Sequence, residues 1–226
     1  MYIFVIISLF ISIAAQIHVQ TTFNKYSKVR NSRGITGAEA ARQLLSDHGV
    51  MNVQIEPVAG NLTDYYDPQS GVIRLSDQVY SSDSVAAVGV AMHEAGHAVQ
   101  YAQNYAPVRL RNAIVKSTNI SSTISYILIL IGFLLGGGSG RIGYSLITLG
   151  IFFFCAVIFF QIVTLPVEFN ASGRALRALR DSMMLEQTEQ NGVRKVLSAA
   201  AMTYVAAVAV SLLQLLRLLA IRGRRR

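Results

Sequence analysis

Residues Ile142–Glu168 read IGYSLITLGIFFFCAVIFFQIVTLPVE, and no charged side chain occurs in the run until its last position. A helix rising about 1.5 Å per residue covers the roughly 30 Å hydrocarbon core of a bilayer in about 20 residues, so Ile142–Leu165 is long enough to cross. Upstream, Ile120–Leu135 is equally free of charge, and the linking GGGSGR (136–141) is turn-forming. The pair reads as a tight transmembrane hairpin. Two further segments, Tyr2–Val19 and Val196–Leu216, have the same character, with Arg217 placed to snorkel from the end of the second. The first has no basic residue before its apolar stretch and a poor small-residue cleavage site, which favours an uncleaved anchor over a signal peptide.

Composition agrees, because 52% hydrophobic and 14% charged residues do not describe an ordinary soluble domain. The expected class is a mainly α membrane protein with about four transmembrane helices. The expected organisation is an N-terminal membrane anchor at 1–19, a soluble segment at 20–118 and a transmembrane hairpin at 119–165. A helix at 166–195 and a C-terminal transmembrane helix with a basic tail at 196–226 complete it.

The net charge of +8 does not imply a nucleic-acid partner. Lys25, Lys28, Arg30 and Arg33, then Arg109, Arg111 and Lys116, then Arg174, Arg177 and Arg180 all flank apolar segments. Such positions suit anionic lipid headgroups and topology signals. The single Cys155 excludes an intramolecular disulfide and a Cys-based zinc knuckle.

Within the soluble segment, TGAEAARQLLSDHG (36–49) has helical spacing, with Thr36 as cap and Gly49 as stop. VQIEPV (53–58) and GVIRLS (71–76) alternate as short strands do, and the turn-rich NLTDYYDPQSG between them suggests a hairpin or two-stranded edge. A helix from about Ser84 through Gln103 follows, ended by Tyr105-Ala106-Pro107. After the membrane hairpin, LPVEFNASGRALRALRDSMMLEQ reads as a new helix with Pro166 in its first turn.

The helix over 84–103 carries AMHEAGHA (91–98). Residues four apart lie on one helix face, so His93 and His97 can direct ring nitrogens at one point, two corners of a metal tetrahedron. Glu94 is rotated by roughly 100° and is placed to act as general base on a metal-held water. A third ligand is required. No Asp or Glu occurs from Ala95 through Val167, which leaves Glu168, Asp181, Glu186 and Glu189 downstream. Two crossings return the chain to the face it left, which favours Glu168. Ala171, Ser172 and Gly173 are small enough to pack against the catalytic helix.

With AMHEAGHAVQ, then a transmembrane hairpin, then LPVEFNASGRAL, the chain resembles the neutral membrane zinc metallopeptidases of the bacterial YugP type. The likeness extends through YDPQSGVIRLSDQVYSSDSVAAVGVA and NGVRKVLSAAAMTYVAA. It implies a small α+β zincin-like catalytic part at the membrane surface, one Zn²⁺ per chain, His93 and His97 as ligands and Glu94 as catalyst. A more distant similarity is to membrane heat-shock and CAAX-prenyl endopeptidases, where an E-x-x-x-D glutamate joins HExxH. Glu168 matches that glutamate, but Ser172 stands where those proteins have aspartate, so what orients the histidines is open.

The expected activity is hydrolysis of peptide bonds in membrane or membrane-proximal proteins, in a multi-pass protein of the bacterial plasma membrane. The alternative is a catalytically silent zinc-binding scaffold; a transporter is disfavoured because the apolar segments hold almost no ionisable residues. The distribution of basic residues favours a cytoplasmic catalytic face, against the terminal RGRRR. An extended substrate is expected to add as a strand to GVIRLS. Tyr65, Tyr66 and Arg174 are open candidates for oxyanion stabilisation. Asp64 and Asp67 form no calcium loop, Asn61 belongs to a turn, and His48 is a helix-end residue.

Overall fold

The computed structural model describes residues 2–135 and 140–223. Residues 136–139 of the expected turn and the last three arginines lie outside the described residues. In chain order the elements are α1 (Tyr2–Tyr26), α2 (Gly37–Asp47), β1 (Gln54–Val58), β2 (Tyr65–Asp67), β3 (Val72–Ser76), α3 (Asp77–Tyr80), α4 (Val85–Ala102), α5 (Ala106–Leu134), α6 (Arg141–Ser182) and α7 (Gln187–Gly223). They form two compact units, one of Met1–Ala15, Arg109–Leu165 and Thr203–Arg226, the other of Gln16–Val108 and Pro166–Met202.

The first unit is helical. Among the described residues four helices, α1, α5, α6 and α7, are long and apolar enough to cross a membrane. Large apolar side chains cover its outside: Phe10, Tyr126, Ile142 and Phe152 are each at least two-thirds exposed, an arrangement suited to lipid and unfavourable in water. α5 and α6 approach at small residues. A Cβ on Gly132 would come within 2.7 Å of Ile147 Cγ1, and one on Gly150 within 2.6 Å of Ile129 Cγ1. Ser125 Oγ donates to Gly150 O at 2.8 Å. Close backbones and a hydroxyl bond are the means by which helices associate where lipid offers no hydrophobic driving force. Tyr144 and Arg222 join α6 to α7 at 2.9 Å.

The second unit is built around α4. Nearly every side chain from Val85 to Val99 other than the site residues is buried, against Leu44 and Leu45 of α2, Ile73 and Leu75 of β3, Ala175 and Leu179 of α6, and Val193 and Val196 of α7. A helix apolar on most of its circumference belongs at the centre of its unit, and the Ala and Gly content lets its neighbours come close. Its N-terminus is fixed by Ser84, whose hydroxyl accepts from Ala87 N at 3.2 Å. α2 begins at Thr36 with a reciprocal capping box to Glu39 and ends before Gly49, whose φ of +68° suits glycine.

Three expectations are corrected. Pro166 does not open a helix; it lies inside α6, which runs unbroken to Ser182. Lacking an N–H, it cannot bond the Ile162 carbonyl, a loss of about 3 kcal/mol in an exposed helix. The chain on both sides is packed, with Val163 and Val167 buried, so tertiary contacts hold the helical path across the proline. Likewise Pro107 falls in the first turn of α5, which starts well before Ile120.

The sheet also differs from a simple hairpin. Its order is β1-β3-β2: β1 pairs parallel with β3, Gln54 opposite Val72, and β2 pairs antiparallel with β3, Tyr65 opposite Arg74. The turn-rich link thus contains a strand of its own, closed onto β3 through Asp67, which accepts from Gln69 N and Ser70 Oγ, and Gly71 at φ +67°. Because β3 is central, both its edges are occupied and GVIRLS cannot receive a substrate strand.

Candidate metal centre

α4 carries His93 and His97 one turn apart, their ring centroids 4.7 Å from each other. α6 brings Glu168 to them: its Oε2 lies 3.3 Å from His93 Nε2 and 3.5 Å from His97 Nε2. The close approach has a local cause. A Cβ on Gly96 would stand 2.7 Å from the Ala171 carbonyl oxygen, so only glycine lets α6 lie this near to α4. Glu168 is buried and both histidines are largely so. Among the described residues these three form the cluster able to hold a metal ion, with ligand atoms all within 4.8 Å of one another. Asp181, Glu186 and Glu189 are not in it. Asp181 pairs with Arg180 at 3.6 Å, Glu186 donates its backbone N–H to Glu189, and Glu189 also receives Ser32 N at 2.7 Å.

The donor set fits zinc. Tetrahedral bonds of roughly 2.0–2.1 Å separate adjacent ligand atoms by about 3.3 Å, close to the two observed N···O separations. The ring nitrogens facing Glu168 are the Nε2 atoms because each Nδ1 already has a partner, Ser172 Oγ at 3.1 Å for His93 and Gln100 Oε1 at 3.0 Å for His97. These are the groups that orient the two rings where Ser172 replaces the aspartate of the distant families.

Gln100 leaves no freedom in the His97 tautomer. Arg174 can only donate, and its Nε reaches Asn170 Oδ1 at 2.7 Å, which makes that oxygen an acceptor. Gln100 Nε2 donates to the same oxygen at 3.0 Å and to Val167 O at 2.8 Å. Both amide hydrogens are thereby used, Oε1 can only accept, and His97 Nδ1 must carry a proton. Nε2 is then the atom that donates to Glu168 when the ring is charged and that offers a lone pair to an ion when it is neutral. Gln100 is fully buried, and it was not singled out from the sequence; its place three residues after His97 on the same face was the available signal.

Glu94 points elsewhere, as its position on the helix requires. Its Oε2 accepts from Tyr66 N at 3.0 Å. Burial raises its pKa above the ordinary carboxylate value, against the pull of His93 and His97. Burial alone would depress His97, but hydrogen bonding to Glu168 and the charge of Glu94 outweigh it and raise that pKa. Asp64 caps Ser76, accepting from its N–H at 2.7 Å and its hydroxyl at 3.0 Å, and so fixes the start of β2 rather than contributing to the cluster.

The three open oxyanion candidates separate. Arg174 directs Nε and one terminal nitrogen to Asn170 and Gln103, the latter at 2.6 Å. The Tyr65 hydroxyl receives Arg74 at 3.3 Å. Tyr66 stacks edge-on with Tyr101 at 5.5 Å and presents its backbone N–H to Glu94. His48 caps α2, its Nδ1 3.0 Å from Leu44 O.

Over residues 1–223 the chain matches the family described as "Putative neutral zinc metallopeptidase", and it belongs to that family. It is 49% identical over 212 residues to the "Putative membrane protease YugP" of Bacillus subtilis (strain 168), covering 94% of this chain and 92% of that protein. No solved structure matches it.

Proposed function

We propose that this protein is a membrane-embedded, zinc-dependent endopeptidase whose metal is held by His93, His97 and Glu168 and whose general base is Glu94. The observation that carries the reading is the approach of one Glu168 oxygen to both Nε2 atoms, from a helix 71 positions further along the chain than His97. Zinc in such a site lowers the pKa of bound water toward neutrality and polarises a carbonyl. The chain's own groups do the rest. Ser172 and Gln100 hold the rings, and Tyr66 N–H holds the Glu94 carboxylate. The raised pKa of Glu94 suits a group that accepts a proton from water and returns it to a leaving amine.

The helix and sheet pairing of α4 with β1–β3 supports a zincin-like catalytic part. With β3 enclosed, the remaining edge beside Glu94 is the outer side of β2, toward which Tyr66 N–H already points. Membrane or membrane-proximal proteins are the substrate class this reading favours, because Glu168 follows by three positions an uncharged apolar run in the same helix. A cytoplasmic catalytic face is favoured by Lys25, Lys28, Arg30 and Arg33.

The test is to purify wild type and Glu94→Gln in detergent, measure zinc per chain, and incubate both with a peptide library. Zinc near one per chain in both and cleavage by wild type alone is the expected result. Absence of zinc from wild type would sink the metal centre, and equal cleavage by both proteins would sink the role of Glu94.

A further inference from the structure

A groove of about 440 Å³ lies between α1 and α7 and shares no lining residue with the His93, His97 and Glu168 cluster. His18, Thr22, Lys25, Arg194, Lys195 and Ser198 line it, and no acidic residue does. It is a built feature. Phe23 is buried in the core of the second unit, and a Cβ on Gly192 would stand 2.8 Å from Tyr26 Cε1, so α1 and α7 meet at a contact that admits only glycine. The Tyr26 ring forms part of the wall, with Lys25 Nζ 5.6 Å from its centroid.

Among the described residues no ion pair is seen to Lys25, Arg194 or Lys195, and the two helices that form the groove bring little acid to it. α1 contains no Asp or Glu, and Glu189 is the one acidic residue of α7. That carboxylate is engaged with the backbone N–H groups of Ser32 and Glu186. Two lysines and an arginine gathered in one concavity repel one another unless an anion is shared among them. Hydroxyls of Thr22 and Ser198 add neutral donors, the mixture that suits phosphate oxygens.

The position identifies which phosphate. On α1 every residue before His18 is uncharged, and on α7 every residue from Val196 to Leu216 is uncharged. On both helices the groove therefore falls where an apolar run meets the first basic residues, the level at which basic side chains meet lipid headgroups. From these observations we propose that the groove binds the phosphate of an anionic glycerophospholipid. Neither an acidic peptide nor a nucleic acid would be served by placement at an apolar boundary. The site is independent of the peptidase reading and stands whether or not that reading does.

The experiment uses the full chain, stripped of lipid in a nonionic detergent. It is titrated with short-chain phosphatidylglycerol, with phosphatidylcholine of equal chain length, and with inorganic phosphate, and bound ligand is read by native mass spectrometry. Wild type is expected to retain one phosphatidylglycerol in preference to phosphatidylcholine. The triple variant Lys25→Gln, Arg194→Gln, Lys195→Gln should weaken retention roughly 100-fold, from about fivefold per basic residue. A control with Arg109→Gln and Arg111→Gln should match wild type. Thr22→Glu, which places a carboxylate in the groove without removing a cation, should also abolish preference; a helical circular-dichroism spectrum and a melting temperature matching wild type certify the fold of each variant. Unaltered retention by the triple variant and Thr22→Glu, or equal retention of the two lipids, would overturn the site. Inorganic phosphate bound as tightly as phosphatidylglycerol would overturn the assignment to lipid.

Discussion

Replacing Gln100 with leucine removes the acceptor of His97 Nδ1 while keeping the volume of a fully buried side chain. Two routes give the expected size of the effect. A buried N–H left without a partner costs about 1–3 kcal/mol. Loss of the partner behind a metal-bound histidine weakens metal affinity by about 10–100-fold, which at 1.4 kcal/mol per decade is roughly 1.4–2.8 kcal/mol. The agreement is expected, since both describe the same bond, and it predicts zinc dissociation about 10–100-fold weaker in Gln100→Leu. The assay is competition against a chromophoric chelator in detergent, with thermal melting of the metal-free protein measured alongside. Gln100→Glu separates orientation from simple bracing. It keeps an oxygen for His97 but loses both amide donors to Val167 O and Asn170 Oδ1. Its melting temperature should fall as far as that of the leucine variant or further, while its zinc affinity stays within about threefold of wild type. Equal losses of zinc affinity in both variants, or none in Gln100→Leu, would refute the tautomer argument and leave Gln100 as a strut between α4 and α6.

Gly96→Ala should destabilise the protein by about 1–3 kcal/mol, because the added Cβ meets the Ala171 backbone oxygen rather than a side chain that can turn away; a melting temperature equal to wild type would contradict the close approach. Zinc affinity and metal-free stability should respond to pH in opposite senses. The raised pKa of His97 means that its protonated form adds stability below the unfolded value of about 6.5 and that this is lost as pH rises through the higher folded value. Zinc must displace the same proton, so its affinity should climb over that window, and parallel rather than opposed trends would show that His97 is not the linked group. For orientation, a maleimide that cannot cross membranes should fail to label Ser70→Cys in a Cys155→Ala background from outside intact cells; efficient labelling would reverse the assigned face.

The helix that carries His93 and His97 was legible because its information is local. The spacing of His93 and His97, the Thr36 cap and the charge-free apolar segments each depend on a few neighbours, and the structure reproduces all three. Glu168 was legible for another reason, that so few acidic residues follow the motif. What local rules misread were features decided by packing. Pro166 has the right chemistry to open a helix, yet buried neighbours on both sides carry α6 through it. Strand direction failed similarly: TDYYDPQSG reads as turn, and only pairing with Arg74, Ile73 and Val72 makes Tyr65–Asp67 a strand and moves β1 to the far side of β3. Gln100 offered only its spacing from His97, because the partners that fix its amide lie 67 and 70 residues away.

The missing aspartate at Ser172 then has an electrostatic consequence. Carboxylates behind zinc-bound histidines add negative charge to the site and make the rings more basic. Here both orienting groups, Ser172 and Gln100, are neutral, and Asp64 is turned to Ser76. The carboxylates nearest a dication among His93, His97 and Glu168 are therefore Glu168 and Glu94, whose two charges would balance its own. Neutral supports would leave more of such an ion's charge to act on water and carbonyl, and they make ring orientation depend on hydrogen-bond geometry. Through that geometry the acceptors Val167 O and Asn170 Oδ1, which fix the Gln100 amide, leave His97 with its proton on Nδ1 and its Nε2 facing Glu168.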